Sequence, residues 1–509
     1  MQNAKKNVFL RLQIFNFLKT DMKKYICFLL IALTAVACTR YPYGVEQALK
    51  LAGDNRAELE CVLERYRAYP EDSLKFRAAC FLIENMPGHA SLSTQLINPS
   101  GQIYTDFVAS EKEYDSLIHK GYSIKKTMQQ DITHINCDYL LEQIELAFEA
   151  WTKPWSRNVN FDDFCRYILP YRAQTELLSS FRGYFLQVYG QVLDTVPGLV
   201  CPLEACRIIN RILSDSIRYH FDLRWFPLTR SVEDTKNSGL GLCEDLCNFG
   251  IHTMRAVGIP VVIDRTLWAR MNLGHSWCLV LCADGRWHAF GAGEDQPGEL
   301  LKRYESIPER TISKVWRMTY ERIKDERRDS LLKNPVPQAL FSNTFAYDVT
   351  AEYVEPTLIN VNIDSHDKYA FLSVFNHGQW QAADYSPVKQ GQASFRAGKN
   401  IVYMFQTFRN GVLIPYSEPF LLLGSDSIRK FIPNFEKLET VSFNKIPDLD
   451  IQLLFWDVEG KTWKEIPSSG SNDTELFFDM IPENALLRHN IVDFLRRIGI
   501  IIDGSFVNY

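Results

Sequence analysis

Two side chains between residues 239 and 277 are of the types that nucleophilic catalysis needs. Cys243 follows Gly239-Leu240-Gly241-Leu242 and precedes Glu244-Asp245, and His275 stands in Gly274-His275-Ser276-Trp277. A thiol becomes a nucleophile when its pKa is lowered and a base is in reach. The two glycines allow a tight turn that presents Cys243 at the start of a helix running to about Val257. There the unpaired backbone N–H groups and the positive dipole end favour a thiolate and an oxyanion. Glu244 and Asp245 suit a first helical turn but raise the thiol pKa, so a cation must offset them, and imidazolium is the natural candidate. The chemistry is attack of Cys243 on an amide carbonyl while His275 shuttles the proton. Water is the simpler acceptor of the acyl group, because hydrolysis needs no second-substrate site; an amine is the alternative. Against this stands the ordinary fate of buried cysteines, which is inert packing.

The flanking pattern places both groups. Gly258-Ile259-Pro260 ends the helix, Val261-Val262-Ile263 reads as a strand, and Asp284-Gly285 joins strands 275–282 and 286–290 into a hairpin. Period-two alternation puts His275, Trp277, Leu279 and Leu281 on one face and Ser276, Cys278, Val280 and Cys282 on the other. Trp268, Arg270, Asn272 and Trp277 are candidate cleft residues, with core packing the alternative for both tryptophans. His252 reads as a surface or packing residue, and the facing of His288 is ambiguous. Cys243-x-x-x-Cys247 and Cys278-x-x-x-Cys282 have a loose zinc-ligand spacing, but strand alternation separates the second pair from His275. No metal and no cofactor is expected.

Three motifs in order, Gly241-Leu242-Cys243-Glu244-Asp245, Arg255-Ala256-Val257-Gly258-Ile259-Pro260 and His275-Ser276-Trp277, resemble the transglutaminase-like superfamily over about residues 205–300. The resemblance implies a papain-like core, with Cys243 as nucleophile and His275 as base. The family's third residue, an Asp, falls at Gly291 here, and Glu294 or Asp295 in the following loop would have to orient His275; Glu294 is favoured. Without either, a Cys–His dyad or a dead site remains. The flanks, in the helical stretch around Leu49, Leu51 and Ala52-Gly53-Asp54-Asn55 and in the tail strand Leu453–Asp457, look similar to multidomain lipoproteins of gut-type Gram-negative bacteria that contain this core.

The 509 residues, 46% hydrophobic and 23% charged, exceed one compact core and exclude disorder or coiled coil as a description of the whole. The expected class is multidomain α+β: a helical region over 38–150, the transglutaminase-like core over 151–340, a β-sandwich over 341–425 and a second β-rich domain over 426–509. Asn410-Gly411 and Glu459-Gly460 mark hairpins in the last two. Cys61 and Cys80, beside Leu and Ala on helical stretches, read as core packing.

Residues 1–37 read as a signal peptide, with the true start placed at Met22. Met22-Lys23-Lys24 precedes the apolar run Tyr25 to Ala37, whose 13 residues span only about 20 Å as a helix. Ala35-Val36-Ala37-Cys38 fits a lipoprotein cleavage box loosely, so Cys38 is the expected lipidation site; a secreted protein with an incidental Cys is the alternative. Cleavage leaves 50 basic and 60 acidic side chains, a net charge of -10, so membrane attachment would fall to acyl chains on Cys38. The expected location is the cell envelope, at an outer membrane. With no basic tract, nucleic acid is not an expected partner; a peptide, glycopeptide or glycan is. The competing function is a catalytically silent lipoprotein scaffold that grips glycan or protein through sandwich aromatics such as Trp380, Tyr385 and Trp463.

Overall fold

The computed structural model describes residues 40–509 except 105–107, 109, 226–229, 272, 308–309, 325–340, 342–343, 365, 448–449, 491–497, 503–504 and 509. Cys38, the leader-like segment and Asn272 therefore lie outside the described residues. The chain divides into two compact units, Met1–His89 with Gln129–Leu141, and Ala90–Met128 with Glu142–Tyr509.

In the first unit, helices α1 (Tyr43–Leu51), α2 (Arg56–Arg67) and α3 (Ser73–Asn85) pack around Val45, Leu49, Leu59, Leu63, Leu82 and Ile83, all fully buried. The apolar residues recur every three or four positions, so each helix buries one stripe. Asn55 ties this bundle to the 131–135 turn by donating to the carbonyls of Ile132 and Ile135 at 3.1 and 2.9 Å. Cys61 is not core packing: it lies on the exposed side of α2 and forms a disulfide with Cys137. Cys80 is buried and free, as its apolar neighbours suggested.

The second unit opens with strands β1 (Ala90–Ile97) and β2 (Ser123–Gln130) flanking helix α4 (Glu111–His119). The front section is thus not purely helical. Helices α5 (Cys137–Trp151), α6 (Phe161–Tyr167), α7 (Phe181–Asp194) and α8 (Pro202–Ser214) follow. The short strands β3 (Arg218–Tyr219) and β4 (Leu240–Gly241), with helix α9 (Val232–Ser238) between them, lead to α10 (Cys243–Ala256). Next comes an antiparallel sheet in the order β7-β6-β5-β8-β9, built from β5 (Val261–Leu267), β6 (Gly274–Leu281), β7 (Trp287–Phe290), β8 (Trp316–Met318) and β9 (Ala346–Asp348). A short helix, α11 (Leu300–Glu305), lies between β7 and β8.

The two faces of this sheet bury different clusters. Val261, Ile263, Cys278 and Val280 pack under α10 with Leu246, Cys247 and Ile251. Val262, Trp277 and Leu279 pack on the other side with Trp268, Leu300 and Tyr304. A buried ion pair crosses that second layer: Asp264 on β5 accepts from Arg317 Nε and Nη2, each at 2.9 Å, and Arg317 Nη2 also reaches Glu352 at 2.7 Å.

The rest is β. Strands β10 (Thr357–Asn362) and β13 (Gln392–Ala397) form one pair. They face a sheet of β11 (Tyr369–Asn376), β12 (Gln379–Pro387), β14 (Ile401–Arg409), β15 (Val412–Pro415), β16 (Phe420–Leu422) and β17 (Ile428–Lys430). Strands β18 (Asn434–Asn444), β21 (Gly470–Ser471) and β22 (Glu475–Glu483) face β19 (Leu453–Asp457), β20 (Thr462–Ile466), β23 (Leu487–His489), β24 (Ile498–Ile502) and β25 (Ser505–Asn508) in a second sandwich. Two expected boundaries move. β9 completes the core sheet beyond residue 340, and β17 pairs with β16 beyond residue 425, because in each case a sheet edge finds its partner across the expected cut.

Candidate active site

Cys243 is the first residue of α10, as the glycine-rich approach predicted. A Cβ on Gly241 would come within 2.9 Å of Asp245 Cβ and 3.2 Å of a Leu246 methyl, so only glycine lets the chain enter the helix this closely. Asp245 closes the turn by accepting the Leu242 N–H at 2.8 Å. Burial pushes its pKa up to about 6.

The other end of the helix is fixed by Arg255. It is 5% exposed and donates to the carbonyl of Arg172 at 2.7 Å and that of Tyr167 at 3.2 Å. A polar stripe runs down α10 at four-residue spacing. Glu244 meets Arg265 Nη2 at 3.2 Å, Asn248 accepts from Gln174 at 3.0 Å, and His252 reaches the buried carboxylate of Glu176 at 2.8 Å. His252 is therefore a structural residue, anchored to Glu176 rather than placed near the thiol. Gln174 also accepts from Arg265 at 3.0 Å, which aims the Arg265 guanidinium past the first turn of the helix.

The thiol of Cys243 lies against β6, where the Ser276 backbone N–H donates to it. Burial nevertheless pushes the thiol pKa up to about 11, with Glu244 and Asp245 adding to the rise and Arg265 opposing it. His275, one residue away on β6, turns its ring to the opposite face of the sheet from α10. The ring stacks on Trp268 at 5.7 Å and 21° and on Trp277 at 5.7 Å and 30°. Its Nε2 is hydrogen-bonded to the Tyr304 hydroxyl, and its Nδ1 has no hydrogen-bond partner among the described residues. Thiol and imidazole thus reach the same stretch of β6 from its two sides, and no hydrogen bond joins them.

The expectation of an imidazolium beside the thiol is corrected. Burial between two tryptophans, with smaller contributions from Arg310 and Arg303, pushes the His275 pKa down to about 3. Arg310 lies 4.6 Å and Arg303 5.7 Å from the Tyr304 ring centroid, so cations crowd the tyrosine that holds the histidine. The cation that acts on the Cys243 thiol is Arg265, from the next strand.

Glu294, expected to orient His275, makes no hydrogen bond to it; Tyr304 on α11 occupies that place. The reason is local. Residues 291–294 form a tight turn closed by Glu294 N–H to Gly291 C=O at 2.9 Å, and a Cβ on Gly291 would come within 2.9 Å of Glu294 Cβ. Fully buried Asn210 clamps the same turn, donating to the carbonyls of Gly291 and Asp295 at 3.1 Å each and accepting the Gly293 N–H at 2.9 Å. Asp295 instead pairs with Arg303 at 2.7 Å.

Trp268 and Trp277 are buried walls of the histidine pocket. Arg270 is not a cleft residue: it donates to the carbonyl of Asn400, in the loop before β14, at 2.7 Å. A cavity of about 510 Å³ adjoins Tyr304 and is also lined by Arg310, Tyr353, Glu355 and Lys399. The four-thiolate arrangement is not assembled, since Cys278 donates its S–H to the Cys247 carbonyl inside the core. Among the described residues no group of three or more His, Cys, Asp or Glu could hold a metal. Nothing in the sequence pattern points to Tyr304, which stands in a six-residue helix 29 positions beyond His275.

No family model and no curated protein matches the chain. Among solved structures it is similar to a proposed cysteine protease from Cytophaga hutchinsonii, at 18% identity and a TM-score of 0.18 over 23% of this chain and 37% of that one. It is also similar to red sea bream transglutaminase, at 10% identity and a TM-score of 0.22 over 82% of this chain and 76% of that one. The aligned part thus spans little more than a third of the bacterial protein.

Proposed function

We propose that this is an exported, lipid-anchored protein of the cell envelope whose papain-like core performs thiol-dependent acyl chemistry on amide bonds of a peptide or glycopeptide. The observation that carries the reading is Cys243 at a helix N-terminus and against the Ser276 N–H, with His275, fixed by Tyr304, at the adjacent position of the same strand. Cys243 attacks the carbonyl, and its proton passes to His275 Nδ1 once substrate binding brings the ring round β6 to the thiol, since the resting structure holds the two groups on opposite faces of the sheet. That role requires the tautomer in which Nε2–H is donated to the Tyr304 oxygen and Nδ1 carries the lone pair. A His275 pKa near 3 keeps Nδ1 unprotonated at neutral pH. The developing negative charge is met by the helix N-terminus and Arg265. The adduct then expels the amine, which leaves with the proton held by His275, and the thioester on Cys243 passes its acyl group to water, with an amine as the other acceptor.

Export is supported by the leader-like segment and by the Cys61–Cys137 disulfide, a bond at home in oxidising compartments. Among the described residues no helix is long and apolar enough to cross a membrane, and anchoring is assigned to acyl chains on Cys38. A Cys38→Ala chain released in soluble form supports the anchor; one that stays in the membrane fraction removes it.

A silent scaffold is the second reading, favoured by the unactivated thiol and by glycine at position 291. The experiment that separates them is digestion of a peptide library with cadaverine present. New amino termini or incorporated amine that vanish in Cys243→Ala establish hydrolysis or transfer respectively. A library left unchanged by the intact chain supports the scaffold.

A further inference from the structure

The two carboxyl-terminal sandwiches meet at a cleft of about 530 Å³, within the range of small-molecule sites. Its walls are the β11–β12 turn, β14, the β14–β15 turn and the β19–β20 hairpin. We infer that this cleft binds a neutral oligosaccharide of β-linked, equatorially substituted pyranoses, with a sugar ring lying on Trp380 and Trp463.

Three observations carry the inference. The first is a ring of four aromatics in which every neighbouring pair meets edge to face. Trp380 meets Trp456 at 6.0 Å and 81°, Trp456 meets Trp463 at 5.3 Å and 78°, Trp463 meets Phe375 at 5.4 Å and 68°, and Phe375 meets Trp380 at 5.4 Å and 73°. Phe375 is buried behind, Trp456 is buried at the cleft wall, and Trp380 and Trp463 are only partly buried and line the cleft. The ring holds these two indoles in place before any ligand arrives, so little side-chain entropy is lost on binding. Their π faces suit the apolar C–H face of a pyranose whose hydroxyls are all equatorial.

The second observation is Gln406, 3% exposed and part of the lining. Its Oε1 accepts from Ser373 at 2.5 Å, and its Nε2 has no partner among the described residues. A sugar hydroxyl in the cleft can accept from that amide, whereas an apolar peptide side chain would cover it and leave it unpaired. The third is charge. Lys461 is the one charged residue among the described residues of the lining, and its ammonium already donates to the Pro415 carbonyl at 2.9 Å. A neutral polyol fits such a wall; a polyanion would find no cation cluster.

This site is separate from Cys243 and stands whether or not the core is catalytic. The test is calorimetric titration of the full chain with cellotetraose and with chitotetraose, followed by tryptophan fluorescence. Saturable binding of at least one, with quenching, is expected. Trp463→Ala should weaken it at least about tenfold. Gln406→Met, which keeps the side-chain length and removes the amide, should weaken it severalfold while the Cys243 alkylation rate stays at the parent value. Failure of both oligosaccharides to saturate the intact chain overturns the inference, as does unchanged affinity in Gln406→Met.

Discussion

The pH profile of Cys243 is the most informative perturbation of the site, because its size follows from the surroundings of one sulfur atom. With its pKa pushed up to about 11, the thiol at pH 8 is ionised to roughly one part in a thousand, against about a quarter for a free cysteine near 8.5. That deficit is roughly two hundredfold. A more basic thiolate is intrinsically more nucleophilic, and a Brønsted slope of about 0.4–0.5 over the difference returns roughly a factor of ten. The net expectation at pH 8 is reaction with a small disulfide probe roughly twentyfold slower than a free thiol, localised to Cys243 by peptide mass spectrometry. Ionisation is the limiting term, so the rate should climb about tenfold per pH unit and level only near pH 11. Arg265→Met should slow it further, since the guanidinium is the cation that lowers the thiol pKa. A plateau between pH 5 and 8 at or above the free-thiol rate would mean a stored thiolate–imidazolium pair, and the neutral resting state described here would be refuted.

Other consequences can be checked directly. Tyr304→Phe removes the partner of His275 Nε2 and should slow acylation of Cys243 about tenfold with little change in stability, whereas Glu294→Gln should leave the rate unchanged because Glu294 makes no hydrogen bond to the ring. Arg317→Leu strands Asp264 as a buried unpaired carboxylate and should destabilise the core by about 3–5 kcal/mol in denaturant titration; a loss below about 1 kcal/mol would show that Asp264 is neutral there. Cys61→Ser opens a cross-link between positions 76 residues apart, and the helical unit should lose about 2–4 kcal/mol and become protease-sensitive; equal proteolysis with and without reductant would contradict the bond.

Much of the local structure was legible in the sequence, because local rules govern it. The glycine-led start of the Cys243 helix, the Asp284-Gly285 hairpin and the alternation that separates His275 from Cys278 all follow from turn chemistry and strand period. What was not legible depends on residues distant in sequence. The phase of β6 was readable, but not that α10 would pack on the Cys278 face, which turns the His275 ring away from it. Tyr304 carries no spacing signal relative to His275. The low basicity of His275 comes from Trp268, Arg303 and Arg310, which only the fold brings together. Cys61 looked apolar from its helix neighbours, and its partner stands 76 residues away. Trp380 and Trp463 were visible as strand aromatics, but their closure into one ring needs Trp456 and Phe375 from different sheets.

The central claim is that Cys243 accepts an acyl group with His275 as its base. It is tested most directly by intact-mass measurement after brief exposure to p-nitrophenyl acetate. One acetyl group on Cys243 is expected, formed faster than on a free cysteine of matched pKa and slowed about a hundredfold in His275→Ala. Acetylation of Cys243 no faster than that reference, and indifferent to His275→Ala, would contradict it.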